Sequence, residues 1–307
     1  MFFIRPAFYF LFPEEWGIML LKFCKAGELV IVPVFLTLSP LLTAALAWRC
    51  GWFLDWNILW RLPLCALAAF FALTLAFLLL MSLSAACVSR RERARPSAWC
   101  HFLTVQFAYL ALFLGGVRVH VTGLDRVPRK SRFMLISNHA FAFDPLIYYY
   151  AMPWADLAFL SKKENFSIFV VAQIMRKVLC LPVDRNNDRE SLKSILKAIQ
   201  FIKDDKASIA VFPEGRTNRT ADPLLPYRCG VFKIAQKANV PIVICSLVNS
   251  RAILRNMFRK HTEVWLDVLD VIPAEELAGK TTIDVGERVH AVMEAGVVRR
   301  EQAQGLR

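Results

Sequence analysis

Eight cysteines stand at positions 24, 50, 65, 87, 100, 180, 229 and 245, and no two of them form a CxxC pair. That absence speaks against a zinc site and for reduced, structural thiols in a reducing compartment. The chain also lacks a Gly-x-Ser-x-Gly elbow and a cysteine set beside a base at a helix start, so the familiar serine and cysteine nucleophiles are missing. Internal repeats and low-complexity linkers are absent. Acidic residues are in the minority: 25 Asp and Glu face 38 Lys and Arg, a formal net charge of +13. So basic a chain calls for an anionic partner. Nucleic acid would suit the charge, but there is no recognisable binding module and no stacking-aromatic signature, which leaves the membrane surface.

What the chain has in excess is apolar length. Of 307 residues 56% are hydrophobic, more than an ordinary soluble domain carries. Residues 29–48 (LVIVPVFLTLSPLLTAALAW) and 62–88 (LPLCALAAFFALTLAFLLLMSLSAACV) hold no charge, and each reaches the ~20 residues that a bilayer crossing needs. The first run is too long, too late and too soon followed by a second to be a signal peptide. Residues 1–96 therefore read as a membrane anchor, a transmembrane hairpin with spans at about 29–48 and 62–88. The opening MFFIRPAFYFLF is too short to span and reads as an interfacial segment or a tail. Lys22 and Lys25 precede the first span and Arg90, Arg91, Arg93 and Arg95 follow the second, whereas the connector sets Arg49 and Arg61 against Asp55. Positive charge outside the hairpin predicts that both ends face the cytoplasm, in an integral protein of the plasma membrane.

Residues 97–116 are apolar but interrupted by His101 and Gln106, and the expectation is an interfacial helix, with a third span as the competing reading. Beyond it, strand and helix signals alternate. RFMLIS (132–137), SIAVFP (208–213) and VPIVICSLV (240–248) are short, apolar and rich in β-branched residues, and TEVWLDVLDV (262–271) alternates. Residues 188–204 place Leu192, Ile195, Leu196, Ile199 and Ile202 on one helical face, and 282–298 read as a closing helix. Residues 117–307 are thus expected to form an α/β domain, a mixed and largely parallel sheet flanked by helices, with its site in loops beyond the carboxyl ends of strands.

SNHAFAFDPL (137–146) occupies one such loop, directly after the strand RFMLIS. Two readings compete. In one, His139 is a polar loop residue and Asp144, followed by Pro145, caps the next helix. In the other, the loop folds His139 back on Asp144, whose carboxylate fixes the imidazole tautomer and makes the ring a general base. Further segments bear on the choice. LPVDR (181–185) ends a strand on Asp184 and Arg185, and VFPEGRT (211–217) ends another on a glycine turn that carries Arg216. A base, two guanidinium groups suited to a phosphate and a flexible turn would converge at one edge of the sheet.

Taken together, these segments resemble the glycerolipid acyltransferases, the 1-acylglycerol-3-phosphate acyltransferases and their lysophospholipid relatives, over roughly residues 117–250. His139 and Asp144 match the family's histidine–four residues–aspartate block, with Asn138 in its usual place. Arg185 matches the second block, Phe212-Pro213-Glu214-Gly215 the third and Val240-Pro241-Ile242 the fourth. Two departures stand out. The third block continues Gly215-Arg216-Thr217 where the family usually has Gly-Thr-Arg, so Arg216 and Arg219 both remain candidates for the substrate phosphate. Phe141 stands where a serine is common.

The resemblance implies direct acyl transfer to a lysophospholipid hydroxyl, most simply that of 1-acylglycerol-3-phosphate, giving phosphatidic acid. His139 would be the base and Asp144 its orienter, with Asn138, Arg185, Glu214, Gly215, Arg216 and Thr217 on the substrate. Glu214 would orient the glycerol or hold Arg185; the plainer reading is a turn residue paired to an arginine. No cofactor or metal is expected; acyl-CoA or acyl carrier protein is a co-substrate, and the partners are membrane lipid and this donor, with no nucleic acid. A lysophospholipid acyltransferase for another head group is the nearest alternative. A lipid hydrolase using the same pair to activate water, and a non-catalytic membrane scaffold, are rivals of other kinds. Arg251, Arg255 and Arg259 would form a basic stripe if their segment were helical, either solvated or set toward anionic lipid or coenzyme A phosphates, and Lys162 and Lys163 admit the same readings. His101, His120, His261 and His290 have no carboxylate at a useful spacing and read as structural.

Overall fold

The centre of the domain follows from three short strands whose residues are buried on both faces: β2 (Met134–Ser137), β5 (Ser208–Val211) and β6 (Ile242–Val248). Strands buried on both faces read as unbroken apolar runs, and they favour parallel pairing between two layers of helix. In the computed structural model, which describes residues 30–52, 57–87, 96–184, 187–257 and 259–306, these strands lie within a seven-stranded sheet. Its other members are β1 (Val117–Thr122), β3 (Leu157–Lys162), β4 (Leu181–Val183) and β7 (Thr262–Ile272), and the order is β1-β7-β6-β2-β5-β3-β4. Every pairing is parallel except β6 with β7, which is antiparallel with a register shift at Ile244/Cys245. The sheet is mixed and largely parallel, as expected. The edge strand β1, whose alternating burial leaves Arg118 and His120 outward, was not anticipated from the sequence.

Helices cover both faces. One apolar layer joins the sheet to α3 (Ala98–Leu114), α4 (Asp144–Ala151) and α5 (Phe169–Lys177); the other joins it to α6 (Asp188–Lys203), α7 (Lys233–Ala238) and α9 (Thr282–Ala303). In α6 the buried face runs through Ala198, Ile199 and Ile202. Leu192 and Leu196 stay exposed, so the expected stripe is only half used against the core. A short helix, α8 (Ala252–Asn256), precedes β7.

Ahead of the domain stand α1 (Ile31–Arg49) and α2 (Ile58–Cys87), both long and apolar enough to cross a membrane and packed on each other. Little of either is buried within the protein: only 28% and 22% of their most apolar windows are covered, and Leu41, Trp48, Leu59 and Leu79 point outward. Of the charges from which an orientation was expected, Lys22, Lys25, Asp55, Arg90, Arg91, Arg93 and Arg95 lie outside the described residues.

The segment expected at the interface forms the helix α3, most of which is buried. Its two polar interruptions are buried and bonded: His101 Nε2 meets the Pro153 carbonyl at 2.8 Å, and Gln106 Oε1 accepts the Val30 and Ile31 amides at 3.2 and 3.1 Å. It packs against α4 on one side and α1 on the other, tying hairpin to sheet.

Candidate active site

Parallel pairing of β2 with β5 and of β5 with β3 sets three carboxyl ends side by side. The loops after them therefore converge, as ligand sites in open α/β sheets do. They border a cavity of about 610 Å3 whose lining includes His139, Lys162, Gly215, Arg216, Arg219 and Arg228. Thr217 lines it too, and so does Val183 at the end of β4.

His139 is fixed on three sides. Its Nδ1 lies 2.9 Å from Asp144 Oδ2, its ring stacks on Phe212 at 4.3 Å, and its main-chain amide donates to Glu214 Oε1 at 2.9 Å. With Nδ1–H given to the carboxylate, Nε2 holds the lone pair and is the ring nitrogen left for chemistry in the cavity.

Asp144 is not the cap that its place before Pro145 suggested. It is the first residue of α4, Phe143 is the N-cap, and no side chain caps the helix. Its carboxylate turns backward instead. Oδ2 accepts the Ala140 and Phe141 amides, each at 2.8 Å, as well as His139. Three donors on one oxygen wind the loop around a fully buried carboxylate, and among the described residues Oδ1 has no partner.

Glu214 is neither a simple turn residue nor paired to an arginine among the described residues. Its oxygens accept the His139 amide and the Leu225 amide, the latter at 3.1 Å, so it ties the loop after β2 to both ends of the long loop after β5. Burial pushes its carboxyl above the ordinary carboxylate range, against the lowering by those two amides. Asn138, expected on the substrate, is buried with its amide engaged by β6: Nδ2 donates to the Leu247 carbonyl and Oδ1 accepts the Leu247 amide, both at 2.8 Å. It anchors the root of the loop. Gly215 takes φ +68°, a conformation that glycine adopts at little cost, and a Cβ there would meet Arg228 Nε at 3.1 Å.

Arg228 was missed from the sequence. The main-chain bond from its amide to the Pro213 carbonyl, 2.9 Å, brings it across Gly215 to the cavity wall. Its one sequence signal was the glycine that makes room for it. Arg216 and Arg219 both reach the cavity, so the departure in the third block costs no cation. Arg185 lies outside the described residues. The expected basic stripe is not formed, because α8 ends at Asn256 and Arg251 turns its guanidinium onto the carbonyls of Asn218 and Thr220. His120 and His290 do find carboxylates, Glu263 at 2.6 Å and Glu294 at 3.7 Å, but neither lines the cavity.

An α/β domain with an imidazole–carboxylate pair over a cationic cavity is a scaffold for acid–base chemistry on an anionic substrate. The Acyltransferase family model matches residues 118–248. The 1-acyl-sn-glycerol-3-phosphate acyltransferase of Borreliella burgdorferi is 30% identical over 173 residues, covering 55% of this chain and 67% of that protein. The human 1-acyl-sn-glycerol-3-phosphate acyltransferase alpha is 23% identical over 285 residues, covering 92% and 90%. The crystal structure of the 1-acyl-sn-glycerophosphate acyltransferase of Thermotoga maritima shares the fold with a TM-score of 0.57 at 18% identity, over 72% of this chain and 87% of that one. The chain belongs to the glycerolipid acyltransferase family, and it is an acyltransferase.

Proposed function

We propose that the protein transfers a fatty acyl group from the thioester of acyl-CoA or acyl carrier protein to the free hydroxyl of 1-acylglycerol-3-phosphate, giving phosphatidic acid. The observation that carries this reading is His139, held by Asp144 at 2.9 Å on the wall of a cavity that also presents Lys162, Arg216, Arg219 and Arg228. His139 Nε2 takes the acceptor's hydroxyl proton while that oxygen attacks the thioester carbonyl. The tetrahedral intermediate collapses, the carbon–sulfur bond breaks, and the imidazolium returns its proton to the departing thiolate. Asp144 supports the positive ring in between. The guanidinium groups take the acceptor's phosphate, for which their planar fork is suited. Asn138 and Glu214 serve by position, holding the loop from beneath.

An acceptor embedded in a bilayer accounts for the hairpin. In this reading α1 and α2 cross the plasma membrane and the catalytic domain lies in the cytoplasm, consistent with the arginines and lysines outside the spans. Purified protein given an acyl-CoA and a panel of lysophospholipids, with product lipids weighed by mass spectrometry, should yield phosphatidic acid from lysophosphatidate. Release of free fatty acid without a new diacyl lipid would make the protein a hydrolase instead. Replacing His139 by Ala should lower turnover about 10²- to 10⁴-fold with folding retained. A cysteine placed near residue 55 should be labelled from outside intact cells, and labelling only after permeabilisation would reverse the topology.

A further inference from the structure

The segment between β3 and α5 links the cavity to the hairpin. Lys162 and Asn165 line the cavity's lip, and α5, a few residues on, packs against α2 near its carboxyl end. The start of α3 bridges the two: the Ser97 amide donates to the Lys177 carbonyl of α5 at 2.8 Å, and Trp99 Nε1 donates to Ser84 Oγ of α2 at 3.1 Å. Ile168, Phe169 and Val171 project from this segment, 55%, 54% and 41% exposed. Large apolar side chains clustered at a surface mark a binding face more often than solvent-facing chance. Beside them Arg176 sits over the Phe166 ring at 5.7 Å, and a concavity of about 450 Å3 opens among Phe166, Phe169, Gln173 and Arg176.

We propose that residues 166–176 form an interfacial platform that lies in the bilayer surface, between the hairpin and the cavity. The occupant is the lipid surface itself, for two reasons. The platform's helix α5 packs against α2, which itself exposes Leu75, Leu79 and Leu83 at a four-residue spacing on one face of its carboxyl-terminal half. Its composition, apolar side chains with an arginine at their edge, matches an acyl–headgroup boundary of anionic lipid, in a chain of net charge +13. Its role is to bring the cavity's lip down to the membrane, so that a lysolipid enters sideways from the bilayer with its glycerol phosphate leading. This rests on α1 and α2 being membrane helices.

The test is photo-crosslinking of the full chain in vesicles of phosphatidylcholine and phosphatidylglycerol. Benzoylphenylalanine is placed singly at Phe169, at Val171, at Leu64 in α2 and at Arg288 in α9. Lipid adducts are expected at 169, 171 and 64 and none at 288. Adducts at 64 without any at 169 or 171 overturn the platform and leave the hairpin standing. Absence at 64 as well removes the membrane reading and the platform with it. In parallel, the double variant Ile168→Asp, Phe169→Asp should raise the KM for vesicle-borne lysolipid about tenfold, while turnover of a short-chain, water-soluble acceptor stays at the parent rate. An unchanged KM in vesicles, or equal loss on both acceptors, counts against the platform.

Discussion

Replacing Asp144 by Asn isolates one charge. Oδ2 receives His139 Nδ1, the Ala140 amide and the Phe141 amide, while Oδ1 has no partner among the described residues. An asparagine in the same rotamer can put its carbonyl oxygen at the Oδ2 position and keep all three donors. The flipped amide would point its own hydrogens at two main-chain N–H groups. The main chain therefore selects the orientation that preserves the histidine tautomer. What disappears is the negative charge. At 2.9 Å and an effective dielectric constant near 20, a full charge pair is worth about 6 kcal/mol. With ~1.4 kcal/mol per tenfold in rate, complete charge development on His139 would cost about 10⁴-fold in turnover. Partial development places the expected loss between about 10² and 10⁴. Stability should move little: three charge-assisted bonds weaken by about 1 kcal/mol each, and the cost of burying an ion is relieved. The assay is single-turnover acyl transfer in detergent micelles, beside thermal unfolding followed by intrinsic fluorescence. A folded Asp144→Asn protein with turnover within about threefold of the parent would refute the reasoning, leaving Asp144 as a loop organiser only.

Glu214→Gln sets an amide N–H group against either the His139 or the Leu225 amide, so it should destabilise the fold by about 1–3 kcal/mol and lower kcat more than it changes the KM for acceptor. Because burial raises the Glu214 carboxyl above its ordinary range, the folded state binds a proton more readily than the unfolded chain. Its ionised form therefore carries a cost above the folded pKa, relieved as pH falls through that value toward the ordinary range. Denaturant titrations at neutral and mildly acidic pH should show the parent gaining stability relative to Glu214→Gln as pH falls; the opposite trend would contradict the burial. Arg228→Ala and Arg185→Ala should chiefly raise the KM for lysophosphatidate, with lysine restoring little at a bidentate site; an unchanged acceptor KM in both would remove their phosphate role. Cys180, buried with its thiol pushed up to about 11, should resist iodoacetamide in the folded protein while exposed Cys50 and Cys87 react, as peptide mapping would show.

The sequence by itself determined whatever is written along one dimension. Two uncharged runs gave α1 and α2, because the length of an apolar stretch is a local property. Buried strands announced themselves by β-branched residues, and their alternation with helices implied a parallel sheet whose carboxyl ends carry the loops. Since His139 follows such a strand and Asp144 lies five residues on, the pair was legible too. Only tertiary structure decided how each side chain is used. Asp144 caps nothing in its own helix, because the loop folds back to offer it closer donors. Glu214 reaches His139 across 75 positions, and Asn138 reaches Leu247 across 109. Arg228 arrives opposite Gly215 through a main-chain bond that no local pattern foretells. The partners of the two polar residues in α3, the Pro153 carbonyl for His101 and the Val30 amide for Gln106, lie 52 and 76 positions away. A hydrophobic run or a spacing is set by neighbours in the chain, whereas a hydrogen-bond partner is set by which strands lie side by side, and that is fixed only when the whole sheet has formed.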